Sequence, residues 1–365
     1  RELKKTMAQI SSEKNKVETI LNYMRDGVIA FNLKGEIIHV NPAAKKLLGM
    51  EEEWNFSFNE FTKKYNLGIT LEEITYLEST ETKIRNAEID NKFFKVYFAS
   101  FIDEAKKVQG IMCVLQDNTE QQKLETMRRE FVANVSHELK TPLTSIATYS
   151  ETLLDGALED RETAEKFVGV INKEAERMTR LVKDLLLLSS LDESRQGINS
   201  GKFKLVKREI SFVDLVKNCV DKMQIEARAK KQKLESFVIG KVPLIEADHD
   251  RMEQVILNIL SNAIKYTPEG GQITVYIGVM YTEVYVKVVD TGIGIPKEDL
   301  PQVFDRFYRV DKARSREMGG TGLGLSIVRE IVELHNGSVT ITSEEKKGTE
   351  VTVKLPISDT KLCAM

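Results

Sequence analysis

Asn258-Ile-Leu-Ser-Asn-Ala-Ile-Lys-Tyr-Thr-Pro268 carries two patterns on one segment. Read with the residues just before it, Met252, Val255, Ile256, Ile259, Leu260 and Ala263 recur at the three- and four-residue spacing of one buried helix face. Asn258, Asn262 and Lys265 recur at the same spacing on a stripe roughly 120° away. Two amides and one ammonium therefore line a single edge. Mg²⁺ takes oxygen ligands and brings phosphate oxygens with it. An Asn carbonyl serves without adding charge, and a Lys neutralises phosphate. Taken alone, the edge reads equally well as a solvated polar face.

Two segments further on change that balance. Glu283 to Asp290 alternates like a strand, and Asp290-Thr-Gly-Ile-Gly-Ile-Pro296 ends it with a carboxylate before Gly292 and Gly294. Glycine lets backbone approach a flat ligand closely, and the carboxylate can accept from an exocyclic amine. Without context this pattern is a tight turn. Gly319-Gly-Thr-Gly-Leu-Gly324 then leads into a helix, whose N-terminus suits phosphate. It is not the dinucleotide fingerprint, because it follows no strand of a βαβ unit.

Upstream lies Phe131-Val-Ala-Asn-Val-Ser-His-Glu-Leu-Lys-Thr-Pro142. His137 sits on a charged helix, on what should be its outer face. Imidazole is nucleophilic near neutral pH. An acidic neighbour holding Nδ1–H leaves Nε2 free to attack. Adjacent helix residues do not face one another, so the Glu138 carboxylate must bend around to reach the ring. Thr141 shares the face, at i+4 from His137. Pro142 removes a backbone donor and should kink the helix one turn later. His39, His249 and His335 read as structural or surface residues.

The 365 residues suffice for two to four domains. A net charge of -3, with 30% charged residues of mixed sign, marks no nucleic-acid binder. The three cysteines, Cys113, Cys219 and Cys363, form no C-x-x-C pair, so neither a disulfide frame nor a zinc site is expected. No apolar run approaches the ~18 residues of a membrane span, and no signal peptide is seen. Arg1 falls inside a helical pattern, so an excised part of a longer protein is expected.

Leu3, Met7, Ile10, Val17 and Leu21 suggest a short coiled coil, with a solvated helix as the other reading. Gly27 to Asn32 and Gly35 to Asn41 suggest a hairpin turning at Leu33-Lys34. A short helix from Pro42 to Leu48 follows, stopped by Gly49. Lys92 to Phe101 and Val108 to Gln116 read as strands. Trp54, Phe56, Phe58 and Phe61 read as core or as a ligand pocket. Asp117 to Leu191 should form two long helices joined at Asp155-Gly156-Ala157. Their stripes are Leu124, Met127, Phe131, Val135 and Leu139, and Ile171, Met178, Leu181, Leu185 and Leu188. A dimeric four-helix bundle would cover both. Gly197 and Gly201 mark a polar linker. Beyond it, Ile273 to Met280 and Glu283 to Asp290 read as one strand pair, and Ser338 to Ser343 with Glu350 to Leu355 as another. Together they suggest an α/β sandwich with helices on one face of a mixed sheet.

Order and spacing of these segments resemble the bacterial sensor histidine kinases of two-component systems. Asn258-x-x-x-Asn262, Asp290-x-Gly292-x-Gly294, Phe304-Asp-Arg-Phe307 and Gly320-x-Gly322-x-Gly324 look like the N, G1, F and G2 boxes of the histidine-kinase ATPases. The stretch from Gly27 resembles a PAS sensory domain, and Asp117-Asn118-Thr119 the Asp-x-Thr end of one. "FVANVSHELKTPLTSI" and the run from Phe307 to Val328 look closest to the PhoR/WalK branch, of which the WalK-type kinases regulate cell-wall metabolism.

The resemblance implies a multidomain α+β chain. A coiled-coil signalling helix would span residues 1–16, an α/β PAS domain 17–117, and dimerisation and phosphotransfer helices 118–192. A linker over 193–202, an α/β sandwich ATP-binding domain over 203–357 and a tail over 358–365 would follow. It implies that His137 is phosphorylated from ATP, with Glu138 as the base beside it. Asn262 would bind Mg²⁺, Asn258 and Lys265 approach the phosphates, Tyr266 lie near the ribose, and Asp290 bond adenine. Gly292, Gly294, Gly320, Thr321, Gly322, Leu323, Gly324 and Thr349 would complete the nucleotide site. Pro296 to Gly320 would form the lid, anchored by Phe304 and Phe307, with Arg309 and Arg314 as candidates to reach the γ-phosphate.

The implied partners are a cognate response regulator and a second copy of the chain, with no nucleic acid. A membrane anchor outside this sequence and an unidentified PAS ligand are also implied. The chain itself would be a cytoplasmic portion. Glu138-x-x-Thr141 resembles the motif that positions water for dephosphorylating the regulator, although a plain surface threonine remains the other reading. Two alternatives stand beside the kinase. One is an ATP-binding dimeric scaffold acting mainly as regulator phosphatase, against which the intact His137, Asn262 and Asp290 speak. The other is a different enzyme on the same ATP fold, against which the histidine helix speaks.

Overall fold

A computed structural model describes residues 2–49, 56–75, 82–103, 105, 107–195, 205–310 and 320–357. The chain divides into two compact units, Arg1–Glu130 and Phe131–Met365. Among the described residues no helix is long and apolar enough to cross a membrane.

The first unit opens with α1 (Glu2–Tyr23), on which Leu3, Met7, Ile10 and Val17 are all exposed. Then come β1 (Gly27–Asn32), β2 (Ile37–Val40), α2 (Pro42–Leu47), α3 (Phe58–Lys64), α4 (Leu71–Thr75), β3 (Lys83–Ile89), β4 (Lys92–Ile102) and β5 (Val108–Asp117). The strands form one antiparallel sheet in the order β2-β1-β5-β4-β3. Asn41, fully buried, is its staple. Its Oδ1 accepts from Val28 N and Ala44 N, and its Nδ2 donates to the Leu21 and Asp26 carbonyls. Ser57 and Glu60 close a capping box on α3. Phe58 and Phe61 are core residues, packed with Phe31 and Phe98, so these two aromatics line no pocket. Trp54 lies outside the described residues.

α5 (Thr119–Leu154) and α6 (Arg161–Arg195) are the two long helices. The joint at Asp155-Gly156 lengthens into a 3₁₀ turn over Ala157–Glu159. At the start of α5, Asp117 Oδ1 accepts from Thr119 N and Oγ1, while Thr119 Oγ1 accepts from Phe93 N. The Thr119 bonds, the largest cause, hold the Asp117 carboxyl below its usual range. Helix α5 runs unbroken through Pro142.

The second unit continues with β6 (Arg208–Ile210), α7 (Phe212–Ala229), β7 (Lys233–Ile239), β8 (Ile245–Ala247), α8 (His249–Tyr266), β9 (Gln272–Met280), β10 (Glu283–Asp290), α9 (Gly324–Leu334), β11 (Ser338–Glu344) and β12 (Gly348–Pro356). A mixed sheet runs β11-β12-β10-β9-β7, parallel only between β7 and β9, and β6 pairs with β8 apart from it. The apolar stripe of α8 is buried along its whole length. The same core takes in Leu181, Leu187, Leu188 and Leu191 of α6. Leu181 and Leu188, two of the five stripe residues expected to await a second chain, are thus covered within this one. The expected linker glycines Gly197 and Gly201, the tail from 358 and Cys363 lie outside the described residues.

Candidate functional site

β10 ends at Asp290, whose carboxylate is 8% exposed. Its Oδ1 accepts from Gly292 N at 2.8 Å and Thr349 N at 3.2 Å. Oδ2 makes no bond to any described residue and stays available to a ligand. Burial pushes the Asp290 carboxyl above its usual range against the pull of those two N–H groups. The flanking glycines are sterically required. A Cβ on Gly292 would lie 2.6 Å from Asp290 Oδ1 and 2.7 Å from the Tyr266 carbonyl. Gly294, at φ +70°, abuts the Glu344 carbonyl. A flat group can therefore lie against this turn. The Thr349 hydroxyl pairs with Ser343 Oγ at 2.9 Å, tying β12 to β11 behind the carboxylate.

α8 sets the second wall. Asp248 caps it, and His335, a structural histidine as expected, accepts from Asp248 N and donates to the Ile331 carbonyl. The Asn258 amide donates to the Gly324 carbonyl at 3.3 Å, joining α8 to the start of α9. Asn262 is half-buried and bonds no described residue, which leaves its oxygen for a cation. Lys265 Nζ lies against Gly320 and 4.9 Å from the Tyr266 ring centroid. Burial, then Arg309, Arg177 and Lys230, push the Lys265 ammonium down to about 8. Four cations thus converge beside the asparagine edge. Arg309 and Arg177 share the Glu138 carboxylate, whereas Lys265 has no anionic partner among the described residues, so the site fits a polyphosphate with a divalent cation.

The Gly-rich segment runs from Gly320 to Gly324. Gly322, at φ +73°, packs on the Phe307 backbone, and Phe307 N donates to the Gly322 carbonyl. Leu323 is fully buried, and Thr321 Oγ1 accepts from Leu323 N. Gly319 and Arg314 lie outside the described residues.

The lid's first part reaches the helical hairpin. Phe307 stands 5.7 Å from Phe131 on α5, and Arg306 forks onto Asp192 of α6 at 2.8 and 2.5 Å. Asp184 of α6 bonds Thr321, and burial raises its carboxyl to about 6. His137 is exposed, and the Thr141 hydroxyl donates to the His137 carbonyl. Glu138 turns away from the imidazole. Its Oε2 accepts from Arg309 Nη2 at 3.0 Å and from Arg177 Nη2 at 3.1 Å. The same Arg309 nitrogen also donates to the Gly320 carbonyl. Arg309 thus sits between the Gly-rich segment and the acid beside His137. Arg177, Asp184, Asp192 and Arg306 were not singled out by sequence reasoning, because on a helix or a polar loop they look like solvated charges.

The family model for histidine kinase-, DNA gyrase B- and HSP90-like ATPases matches residues 247–359. The His Kinase A (phospho-acceptor) domain model matches 127–194, and a PAS domain model matches 15–74. Sensor histidine kinase WalK of Bacillus subtilis (strain 168) is 41% identical over 369 residues, covering 98% of this chain and 58% of that protein. A sensor protein kinase WalK of Staphylococcus aureus is 38% identical over 366 residues, covering 97% of this chain and 84% of that protein. For the WalK of S. aureus strain JH9 the identity is again 38%, and 57% of it is covered. The chain thus spans little more than half the length of two of these three relatives. Histidine kinase ThkA, solved in complex with the response regulator protein TrrA, shares the fold. Its TM-score is 0.51 at 23% identity, covering 92% of this chain and 96% of that one.

Proposed function

This chain belongs to the sensor histidine kinases, and on that footing we propose that it moves the γ-phosphoryl group of Mg-ATP to His137 and then to an aspartate of a response regulator. The observation that carries the reading is the gathering of Lys265, Arg309 and Arg177 between the asparagine edge of α8 and the helix bearing His137.

Phosphoryl transfer passes through a loose transition state, so positioning and charge neutralisation do most of the work. The free Asp290 oxygen takes the amine of adenine, while Gly292 and Gly294 let the base lie flat. Tyr266 lies near the ribose. Asn258 and Lys265 hold phosphate oxygens, and Asn262 holds Mg²⁺, which when bound neutralises phosphate charge. The N-terminus of α9, which begins at Gly324, supplies positive dipole charge to the phosphates. His137 Nε2 gives its lone pair to the γ-phosphorus as the bond to the β,γ-bridging oxygen breaks, and ADP leaves with that electron pair. The Nδ1 proton is held by Glu138. In the second step the phosphorus–nitrogen bond breaks, its pair returns to imidazole, and a regulator carboxylate takes the phosphoryl group.

The division of labour proposed with this reading assigns sensing to residues 17–117, phosphotransfer to 118–192 and ATP binding to 203–357. The chain works as a homodimer. Leu143, Leu154 and Val168 are exposed apolar residues of the hairpin that a second copy would cover. Regulator phosphatase activity belongs to the same proposal, with Thr141 placing the water. Attachment to a membrane through a segment outside this sequence, and a small ligand for the first unit, follow from the resemblance alone.

Incubation with γ-labelled ATP and Mg²⁺ tests the reading. Label that is acid-labile, alkali-stable and absent from His137→Gln is expected. Label that persists in that variant assigns the chain another acceptor.

A further inference from the structure

Glu138 is shared between two guanidiniums that have different prospects. Arg309 lies on the lid and also contacts the Gly-rich segment, where nucleotide phosphates would lie. Arg177 lies on α6; its Nη2 donates to Glu138, and its Nη1 lies 3.7 Å from Glu174 Oε2, an ion-pair distance without a hydrogen bond. Both arginines are largely buried, at 8% and 12% side-chain exposure, and Glu138 is 16% exposed. A triphosphate carries more charge than one carboxylate and lies where Lys265 already feels both arginines. Bound nucleotide should therefore draw Arg309 off Glu138. A half-buried carboxylate needs a hydrogen-bond donor to keep one orientation. Arg177, which lies on α6 and makes no hydrogen bond to the Gly-rich segment among the described residues, is the donor that remains.

We propose that Arg177 is a positioning residue for phosphoryl transfer: it keeps hold of the Glu138 carboxylate when Arg309 passes to the terminal phosphate, so that the side of the carboxylate freed by Arg309 can turn to His137. The proposal rests on the kinase reading above. Arg177 touches neither the nucleotide nor the imidazole in this arrangement and acts through Glu138. The hydrogen-bonded string Arg177–Glu138–Arg309–Gly320 links α6, α5 and the loop that carries Arg309, with Glu174 as a nearby counter-charge to Arg177.

The test is autophosphorylation of the full chain, with melting temperature followed for every variant. Arg177→Ala should lower the rate at saturating ATP about 10- to 100-fold, the range for one lost charge-assisted bond. The KM for ATP should stay within about twofold, because the nucleotide loses no contact. Arg177→Lys should recover much of the rate, since an ammonium still supplies a charged donor. In a Glu138→Gln background, Arg177→Ala should cost almost nothing more, which a merely structural role would not produce. The proposal is overturned if Arg177→Ala raises the KM and spares the rate, or if it costs the same factor with Glu138→Gln as without. It is equally overturned if Arg177→Lys is as slow as Arg177→Ala. A wild-type chain that takes no label on His137 would instead sink the kinase reading, so the two failures are distinguishable.

Discussion

The charge state of Lys265 offers the sharpest check on where the phosphates sit. Burial and the neighbouring cations Arg309, Arg177 and Lys230 bring its ammonium down to about 8 from the ordinary 10.5. That displacement corresponds to about 3 kcal/mol of disfavour for the charged form. A bound phosphate removes the disfavour and lifts the ammonium back up. Nucleotide binding must then take up protons between the two values. At pH 7.5 the free site is about three-quarters protonated, so uptake should be about a quarter of a proton. At pH 8.5 the proportions reverse, and uptake should rise to about three-quarters. Affinity should fall as pH rises through 8.

Folding carries the matching sign. A lysine whose folded value is lowered costs stability below that value, and the cost is relieved as pH rises toward 10.5. Titration calorimetry with Mg-ADP, in buffers of different ionisation enthalpy at both pH values, reads the uptake directly. Lys265→Met should abolish it. Uptake in the wild type equal to that of Lys265→Met at both pH values would refute the placement of phosphate beside this lysine.

Three further outcomes are expected. Asp290→Asn keeps an oxygen for the Gly292 and Thr349 N–H groups but turns an amide donor toward the ligand amine. Nucleotide dissociation constants should rise about 10- to 100-fold with little change in melting temperature, and a change under threefold would remove Asp290 from base recognition. Gly294→Ala sets a Cβ against the Glu344 carbonyl at φ +70°, and urea unfolding should show a loss of about 1–3 kcal/mol or more. An unshifted midpoint would contradict the close packing of that turn. The raised Asp184 carboxyl, at about 6, binds its proton more tightly folded than unfolded. Stability should therefore fall as pH rises from about 4 to 6, and Asp184→Asn should melt higher than wild type at pH 7.5. A lower melting point for that variant would show that the charge is well accommodated against Thr321.

Local patterns were legible where the physics is local. Met252 to Ala263 reads as one buried face because helix period and side-chain polarity are both written within a few residues, and α8 buries that face. Val286 and Val288 alternate with Tyr285 and Lys287, and β10 places them on opposite sides of its sheet. By contrast, Lys233 to Ile239 showed no pattern that would announce β7, whose parallel pairing with β9 depends on residues about forty positions away. The C-terminal leucines of α6 looked like a seam awaiting a second chain, but the core around α8 and α9 covers them.

The polar edge of α8 and the carboxylate ending β10, proposed above to hold nucleotide, could be picked out from Asn258, Asn262 and Asp290 because amides at helical spacing and a carboxylate before glycines are short-range signatures. Sequence alone therefore determined the family, the long helices and the strand pairs with a clear period, and the chemistry their side chains offer. What Glu138 and Arg309 do with one another was decided only by tertiary structure. Arg177 in Glu174-Ala-Glu-Arg-Met178 is indistinguishable from a solvated helix charge until α5, α6 and the lid meet. Charge pairing depends on distances through space. Once water is excluded, a few ångströms decide whether a carboxylate faces an imidazole or a guanidinium.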